Sequence, residues 1–385
     1  MRVITDSKEL EAFSRALAER PFVAVDTEFM REKTYWPILC LVQAAAEGLE
    51  AVIDPMAAGI DLRPFLDLMA NERVVKVFHA ARQDIEIFYQ LTGAAPAPLF
   101  DSQVAAMACG FGDQIGYEPL MRGLLKASID KGPRFTDWSR RPLSKAQLAY
   151  ALSDVTHLRD AYPILLERLG EDGRAKWVEE EMAALADPDL YRADPERAFE
   201  RMKLRGVRPA ELGPLVKLAE WREREAQARN MPRGRILKDE AIFELARLRP
   251  KTPEELSRAR SIPTGYERSK SGAGMIEAIA AGAALPKSAL PAVDRAERRA
   301  APPADVVELL KVLLKRQCDR YRVAPKLVAS TSDLEAIALS DKADVPALHG
   351  WRGEIFGALA LKLKRGELAM RLKNGGVEFI EVAAQ

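Results

Sequence analysis

Cysteine and histidine are scarce, three of each in 385 residues: Cys40, Cys109 and Cys318, and His79, His157 and His349. Thiols so scattered exclude a disulfide framework or a zinc cluster, and so few imidazoles exclude a histidine-rich metal site. The chain also lacks the roughly 20-residue apolar run that a membrane span needs, and its start, "MRVITDSKELEAF", lacks the apolar region of a secretory signal. A cytoplasmic protein that meets no membrane is therefore expected. An excess of one charge is missing too: 58 Lys and Arg stand against 57 Asp and Glu. What is present is 48% hydrophobic and 30% charged residues, the composition of a soluble globular chain long enough for two or three domains.

The even charge balance dissolves when the chain is divided. Residues 1–202 hold 24 basic and 33 acidic side chains, residues 203–299 hold 21 and 13, and residues 300–385 hold 13 and 11. An acidic first half joined to a basic middle suits a catalytic portion tied to one that holds a polyanion. A solvated helical surface is the alternative.

The first half alternates strand and helix patterns. Asp6 or Ser7 caps a helix over "SKELEAFSRALAER", and the strands "FVAVDTEF", "ILCLVQAA" and "EAVIDP" follow, the last two as an antiparallel hairpin. Next come a helix near 61–71, the strand "RVVKVFH", a helix closing at Gly93, and one over "DSQVAAMACG". A long helix then runs from an N-cap at Ser144 to a C-cap at Gly170. This is an α/β domain with a mixed sheet. Beyond about Asp187 no strand is read. Two Pro-rich connectors separate helical blocks that share the order long helix, short helix, Pro-marked turn, short helix, the mark of a diverged repeat of roughly 80 residues.

Three stretches carry the chemistry. Asp26 and Glu28 close an apolar strand, and the two-residue period puts both on one face with Thr27 turned away. Like charges packed side by side need a cation, and without one their pKa values should be raised. In "VFHAARQDIEIF", Asp84 follows His79 into a helix; taken singly, Asp84 also fits a favourable place in the helix dipole, and His79 a packing role. In "AYALSDVTHL", Tyr150 and Asp154 lie four apart on one helix face, and Asp154 falls within the apolar stripe of Leu148, Ala151, Val155 and Leu158. Four carboxylates converging suit two hard divalent cations, Mg²⁺ or Mn²⁺, clamping a phosphodiester, with Tyr150 orienting water.

"DTEF", "HAARQD" and "YALSD" resemble the three motifs of the DEDD exonuclease superfamily, in its tyrosine-containing branch. "TYWPILCLVQ", "LFDSQVAAMACG" and "DKGPRFTDWSRRPLSKAQLAYALSDV" extend the resemblance to the bacterial ribonuclease D family over essentially the whole chain. The resemblance implies an RNase H-like catalytic domain at 1–186, a connector at 187–206, a helical HRDC domain at 207–285, a linker at 286–303 and a second HRDC-like bundle at 304–385. It implies a monomeric, metal-dependent 3′-to-5′ exoribonuclease that acts on tRNA precursors and other RNA 3′ ends, with no obligate protein partner. Asp26, Glu28, Asp84 and Asp154 become its metal ligands and Tyr150 its water-positioning residue.

Thr27, Phe29, Gln43, His79, Asp101, Trp138 and Arg141 are further candidates for contacts at or near the substrate, with a core role the alternative for Trp138. Ser102 stands where threonine is expected. Arg222, Arg229, Arg233, Arg235 and Lys238 are candidate phosphate contacts of the basic block, with solvated helix-face cations as the alternative for each. The catalytic motifs alone fit a DNA exonuclease as well, and a non-catalytic RNA-binding scaffold is the reading from another class.

Overall fold

The computed structural model describes residues 1–129, 132, 136–204, 206–291 and 301–382. These fall into two compact units. The first takes the described parts of 1–28, 40–190 and 300–385; the second takes those of 29–39 and 191–299.

The first unit is built on a six-stranded mixed sheet of β1 (Val3–Ile4), β2 (Phe22–Met30), β3 (Ile38–Ala46), β4 (Leu49–Ile53), β5 (Val75–Phe78) and β6 (Leu99–Asp101). The spatial order is β1-β4-β3-β2-β5-β6. β3 and β4 form the expected antiparallel hairpin, while β2 pairs parallel with β5 and β5 with β6. β2 and β5 bury apolar runs, Val23 to Val25 and Val77 with Phe78, as strands covered on both faces do. Lys76, between them in β5, is completely buried, and its ammonium donates to the carbonyls of Asn71 and Val74, each at 2.8 Å, and of Ala97.

The helices of this unit are α1 (Ser7–Ala18), α2 (Arg63–Ala70), α3 (Arg82–Thr92), α4 (Ser102–Ala108), α5 (Tyr117–Leu125), α6 (Lys145–Glu171) and α7 (Ala175–Leu185). Asp6, not Ser7, caps α1, and Gly93 ends α3 at a φ of 78° that glycine adopts without strain. Ser144 and Gln147 form a capping box that starts α6. That helix passes Gly170, the expected cap, and the chain reverses at Gly173, where φ is 68°.

The C-terminal block, read in the sequence as a separate module, belongs to the same compact unit as the sheet. It holds α13 (Ala304–Tyr321), α14 (Pro325–Val328), α15 (Thr331–Leu339), α16 (Gly350–Arg352), a π turn at Gly353–Gly357 and α17 (Ala358–Lys364). The buried Arg174 guanidinium joins the two, donating to the carbonyls of Ala108 at 2.5 Å, Arg322 at 3.2 Å and Tyr321. The Trp177 and Trp351 rings stack at 4.3 Å. The expectation of no strand beyond 187 fails here: β7 (Leu368–Lys373) and β8 (Gly376–Glu381) form an antiparallel hairpin.

The second unit is helical: α8 (Pro209–Ala228), α9 (Arg233–Ile236), α10 (Asp239–Leu248), α11 (Pro253–Leu256) and α12 (Lys270–Ala283). α8 and α12 cross so closely at Gly213 and Gly282 that a Cβ on Gly213 would meet the Gly282 carbonyl oxygen at 2.2 Å. The segment 29–39 packs into the core of this unit. Tyr35 is 5% exposed, Arg233 donates to its hydroxyl at 2.8 Å, and the Asn230 side chain accepts from the backbone N–H groups of Tyr35 and Trp36. The hydroxyl of Tyr35 donates to Glu223, which is fully buried. The order of elements from α8 to α12 repeats from α13 to α17, as the helical pattern predicts.

Candidate active site

β2 enters the core apolar and leaves it charged. Asp26 and Glu28 are half-buried, and Thr27 between them is buried on the other face, as strand alternation requires. α6 brings Asp154 to the same place from an otherwise apolar stripe. One carboxylate oxygen from each of Asp26, Glu28 and Asp154 lies within 4.8 Å of the other two.

The cavity beside them has a volume of about 360 Å³, and Asp26, His79, Gln103, Tyr117, Tyr150 and Asp154 are among its walls. Among the described residues that line it there is no lysine or arginine. Burial pushes the Asp26 carboxyl up to about 6, against a backbone hydrogen bond that opposes the shift. Clustered hard oxygen donors and a carboxyl held toward its neutral form fit a divalent cation such as Mg²⁺ or Mn²⁺.

Asp84 is not in this group of three. It is buried in the first turn of α3 and accepts a hydrogen bond from the Thr27 hydroxyl at 2.5 Å. Burial, followed by the charge of Asp26, raises its pKa well above the ordinary carboxylate range. Asp101 sets the start of α3: its two oxygens accept from the N–H groups of Ala80 and Ala81, at 3.0 and 2.9 Å, while it also caps α4 through Gln103. Ala80 takes a left-handed φ of 57° in this turn. Asp101 therefore orients backbone beside the cavity, the supporting alternative among the contacts at or near the substrate.

Other expectations are corrected by burial. The Thr27 hydroxyl is committed to Asp84. Gln43 is fully buried in β3 and its amide finds no partner among the described residues. Trp138 takes the core alternative at 2% exposure, its ring stacked on Tyr150 at 6.3 Å.

Arg141 spends all five N–H donors within the protein. Asp54 takes two of them at 2.6 and 2.7 Å, and the carbonyls of Cys40, Trp138 and Arg140 take the others at 2.7 to 2.9 Å, leaving none for phosphate. His79 does line the cavity. Burial holds its pKa down, its Nδ1 lies 2.9 Å from the Ser102 hydroxyl, and its ring meets Tyr117 edge-on. Phe29 is half-buried near the end of β2.

Tyr117 and Gln103 were missed by sequence reasoning. The Tyr117 hydroxyl donates to the backbone carbonyls of Ser153, at 3.1 Å, and Asp154, fixing the helical turn that presents Asp154. No motif spacing announces it, since its partners are main-chain atoms.

The arginines of the basic block divide. Arg222 is buried and donates to Leu237 O and to Asp239 at 2.5 Å, and Arg233 grips Glu223 at 2.5 and 2.6 Å, so these two hold their own unit together. Arg229 pairs with Glu225 and donates to Ser271 at 3.1 Å. Arg235 and Lys238 are exposed.

Comparison with known proteins agrees with this geometry. Residues 1–170 match the 3′-5′ exonuclease family and residues 211–279 the HRDC domain. Ribonuclease D of Nitrobacter hamburgensis is 50% identical over 99% of this chain and 100% of its own length. Ribonuclease D of Gluconacetobacter diazotrophicus is 50% identical over 98% of this chain and 96% of its own. The crystal structure of Escherichia coli RNase D, an exoribonuclease involved in structured RNA processing, superposes with a TM-score of 0.82 at 26% identity, covering 95% of this chain and 98% of that one. Carboxylates clustered in an α/β domain, a helical HRDC region and identity along the full length lead to one conclusion: the chain belongs to the ribonuclease D family of 3′-to-5′ exoribonucleases.

Proposed function

We propose that the chain trims RNA 3′ ends, tRNA precursors among them, one nucleotide at a time, and releases nucleoside 5′-monophosphates. The observation that carries this reading is the approach of the Asp26, Glu28 and Asp154 oxygens within 4.8 Å, beside a cavity whose described walls hold no lysine or arginine. These three residues, with Asp84 behind Asp26, would hold two divalent ions. Such ions, when bound, activate water and offset charge on the phosphate oxygens.

The chain's own groups do the rest. Tyr150, on the cavity wall one helical turn before Asp154, orients the attacking water through its phenol, and its position supports the tyrosine-containing branch. His79, kept neutral by burial, and Gln103 border the space for the terminal nucleotide. The repeated helix order supports a second HRDC-like bundle at 304–385 in addition to the first at 207–285, with the catalytic domain at 1–186. Among the described residues no helix is long and apolar enough to cross a membrane.

Digestion of a 5′-labelled RNA oligonucleotide in Mg²⁺, Mn²⁺ or EDTA tests the reading. A one-nucleotide ladder, 5′-monophosphate products, abolition by EDTA, and a loss of about 10³-fold or more in Asp26→Asn and Asp154→Asn are expected. Activity in EDTA, 3′-phosphate products, or faster digestion of the matched DNA would overturn it.

A further inference from the structure

The C-terminal block holds a second cavity that shares no residue with the first. α13 and the β7–β8 hairpin enclose about 480 Å³ between them, with Arg316, Gln317, Arg320, Lys373, Asn374 and Phe379 in its walls. Arg316 and Arg320 lie one turn apart on α13, both exposed, and neither has a carboxylate partner among the described residues. Glu378 is the one acid in the lining, and it is shared by Lys373 at 3.3 Å and Arg371 at 2.7 Å. The walls thus carry three cations against one carboxylate.

Gln317 is 2% exposed, and its buried Oε1 has no hydrogen-bond partner among the described residues. A buried acceptor left without a donor is unfavourable, and this one belongs to a side chain in the wall of the cleft. Phe379 is half-buried and lends an aromatic surface, and Asn374 and Gly375 turn the hairpin with φ of 51° and 77°. An inorganic anion would use the cations alone. Cations, an aromatic face and an amide gathered in one cleft match the needs of a single nucleic-acid strand, whose phosphates, bases and hydroxyls they meet in turn.

We infer that the cleft between α13 and the β7–β8 hairpin binds single-stranded RNA, holding a part of the substrate away from the 3′ end being cut. The inference rests on the reading that RNA is the substrate. In the second unit, by contrast, the buried or half-buried Arg222 and Arg233 are committed to Asp239 and Glu223.

Binding of a fluorescent oligoadenylate of about 20 nucleotides to the full-length chain in EDTA, followed by anisotropy across a salt series, tests this. Arg316→Glu combined with Arg320→Glu should weaken binding by about tenfold or more and reduce the salt slope by about two. Phe379→Ala should weaken it by about fivefold at an unchanged salt slope. Turnover of a dinucleotide in Mg²⁺ should stay at the wild-type value in every variant, which also reports that the variants are folded. Wild-type binding with no loss in the variants, or equal losses on the dinucleotide, would overturn the cleft assignment. A wild-type chain that binds DNA but not RNA would overturn the substrate reading instead.

Discussion

Arg141→Ala should injure both stability and turnover, by separable amounts. The guanidinium spans β3, β4 and the loop that carries Trp138: Asp54 accepts twice, and the carbonyls of Cys40 and Trp138 accept at 2.7 and 2.8 Å. The two side chains are 28% and 11% exposed, which places the pair between a surface bridge worth 0–1 kcal/mol and a buried one whose rupture costs about 3–5. Three carbonyls, those of Cys40, Trp138 and Arg140, also lose a donor. A destabilisation of about 2–3 kcal/mol follows, to be read from urea unfolding. Arg141→Lys keeps the charge but not the fork and should lose more than half of that.

The second effect runs through Trp138, which stacks on Tyr150 with an interplanar angle of 29°. Once its carbonyl anchor is gone, the ring that backs Tyr150 is loosened. kcat on a short RNA should then fall by about tenfold with KM nearly unchanged, because Tyr150 is read here as orienting water, not as gripping substrate. Trp138→Ala should give the same kcat loss, and the double variant no more than either single one. If Arg141→Ala loses the expected stability but turns over RNA at the wild-type rate, the loop does not position Tyr150.

Two further expectations concern buried charge. Lys76→Met removes the ammonium that three carbonyls share ahead of the starts of β5 and β6, and leaving those of Val74 and Ala97 short of a donor should cost about 2–3 kcal/mol in urea unfolding; an unchanged midpoint would refute the role. In the second unit, burial pushes Glu223 up, but hydrogen bonds from Arg233 and Tyr35 outweigh it and leave the carboxyl below its ordinary range. A lowered native pKa adds stability that is complete above the unfolded value near 4.5 and is lost as pH falls through the native one. Thermal melts of the wild type should therefore drop below about pH 4.5 more steeply than those of Glu223→Gln, and parallel curves would count against it.

What could be read in the sequence, and what could not, divides along a physical line. Asp26 and Glu28 were placed on one face by strand alternation, Asp154 was conspicuous as a carboxylate in an apolar stripe, and Ser144 was legible as a helix cap. Each of those signals spans a few residues. The groups that hold the site act over long separations, and half of each contact is main chain. Arg141 reaches the carbonyl of Cys40, 101 positions away, and Tyr117 reaches the carbonyl of Asp154, 37 away. A carbonyl has no sequence signature. The same reason hid the union of the C-terminal block with the sheet, since Arg174 secures it through three backbone oxygens. The β7–β8 hairpin is a different case: "KNGG" between "LAMRL" and "VEFIE" is an Asn-Gly turn signal flanked by strand-like runs, and it was there to be read. Arg141, Asp101 and Trp138 were nonetheless singled out, because their residue types looked chemical; burial then assigned them to holding the site. An arginine beside an active site is thus informative only once its five donors are counted. By that count Arg141 belongs to the scaffold, whereas Arg316 and Arg320, unnoticed in the sequence, have donors to offer a ligand.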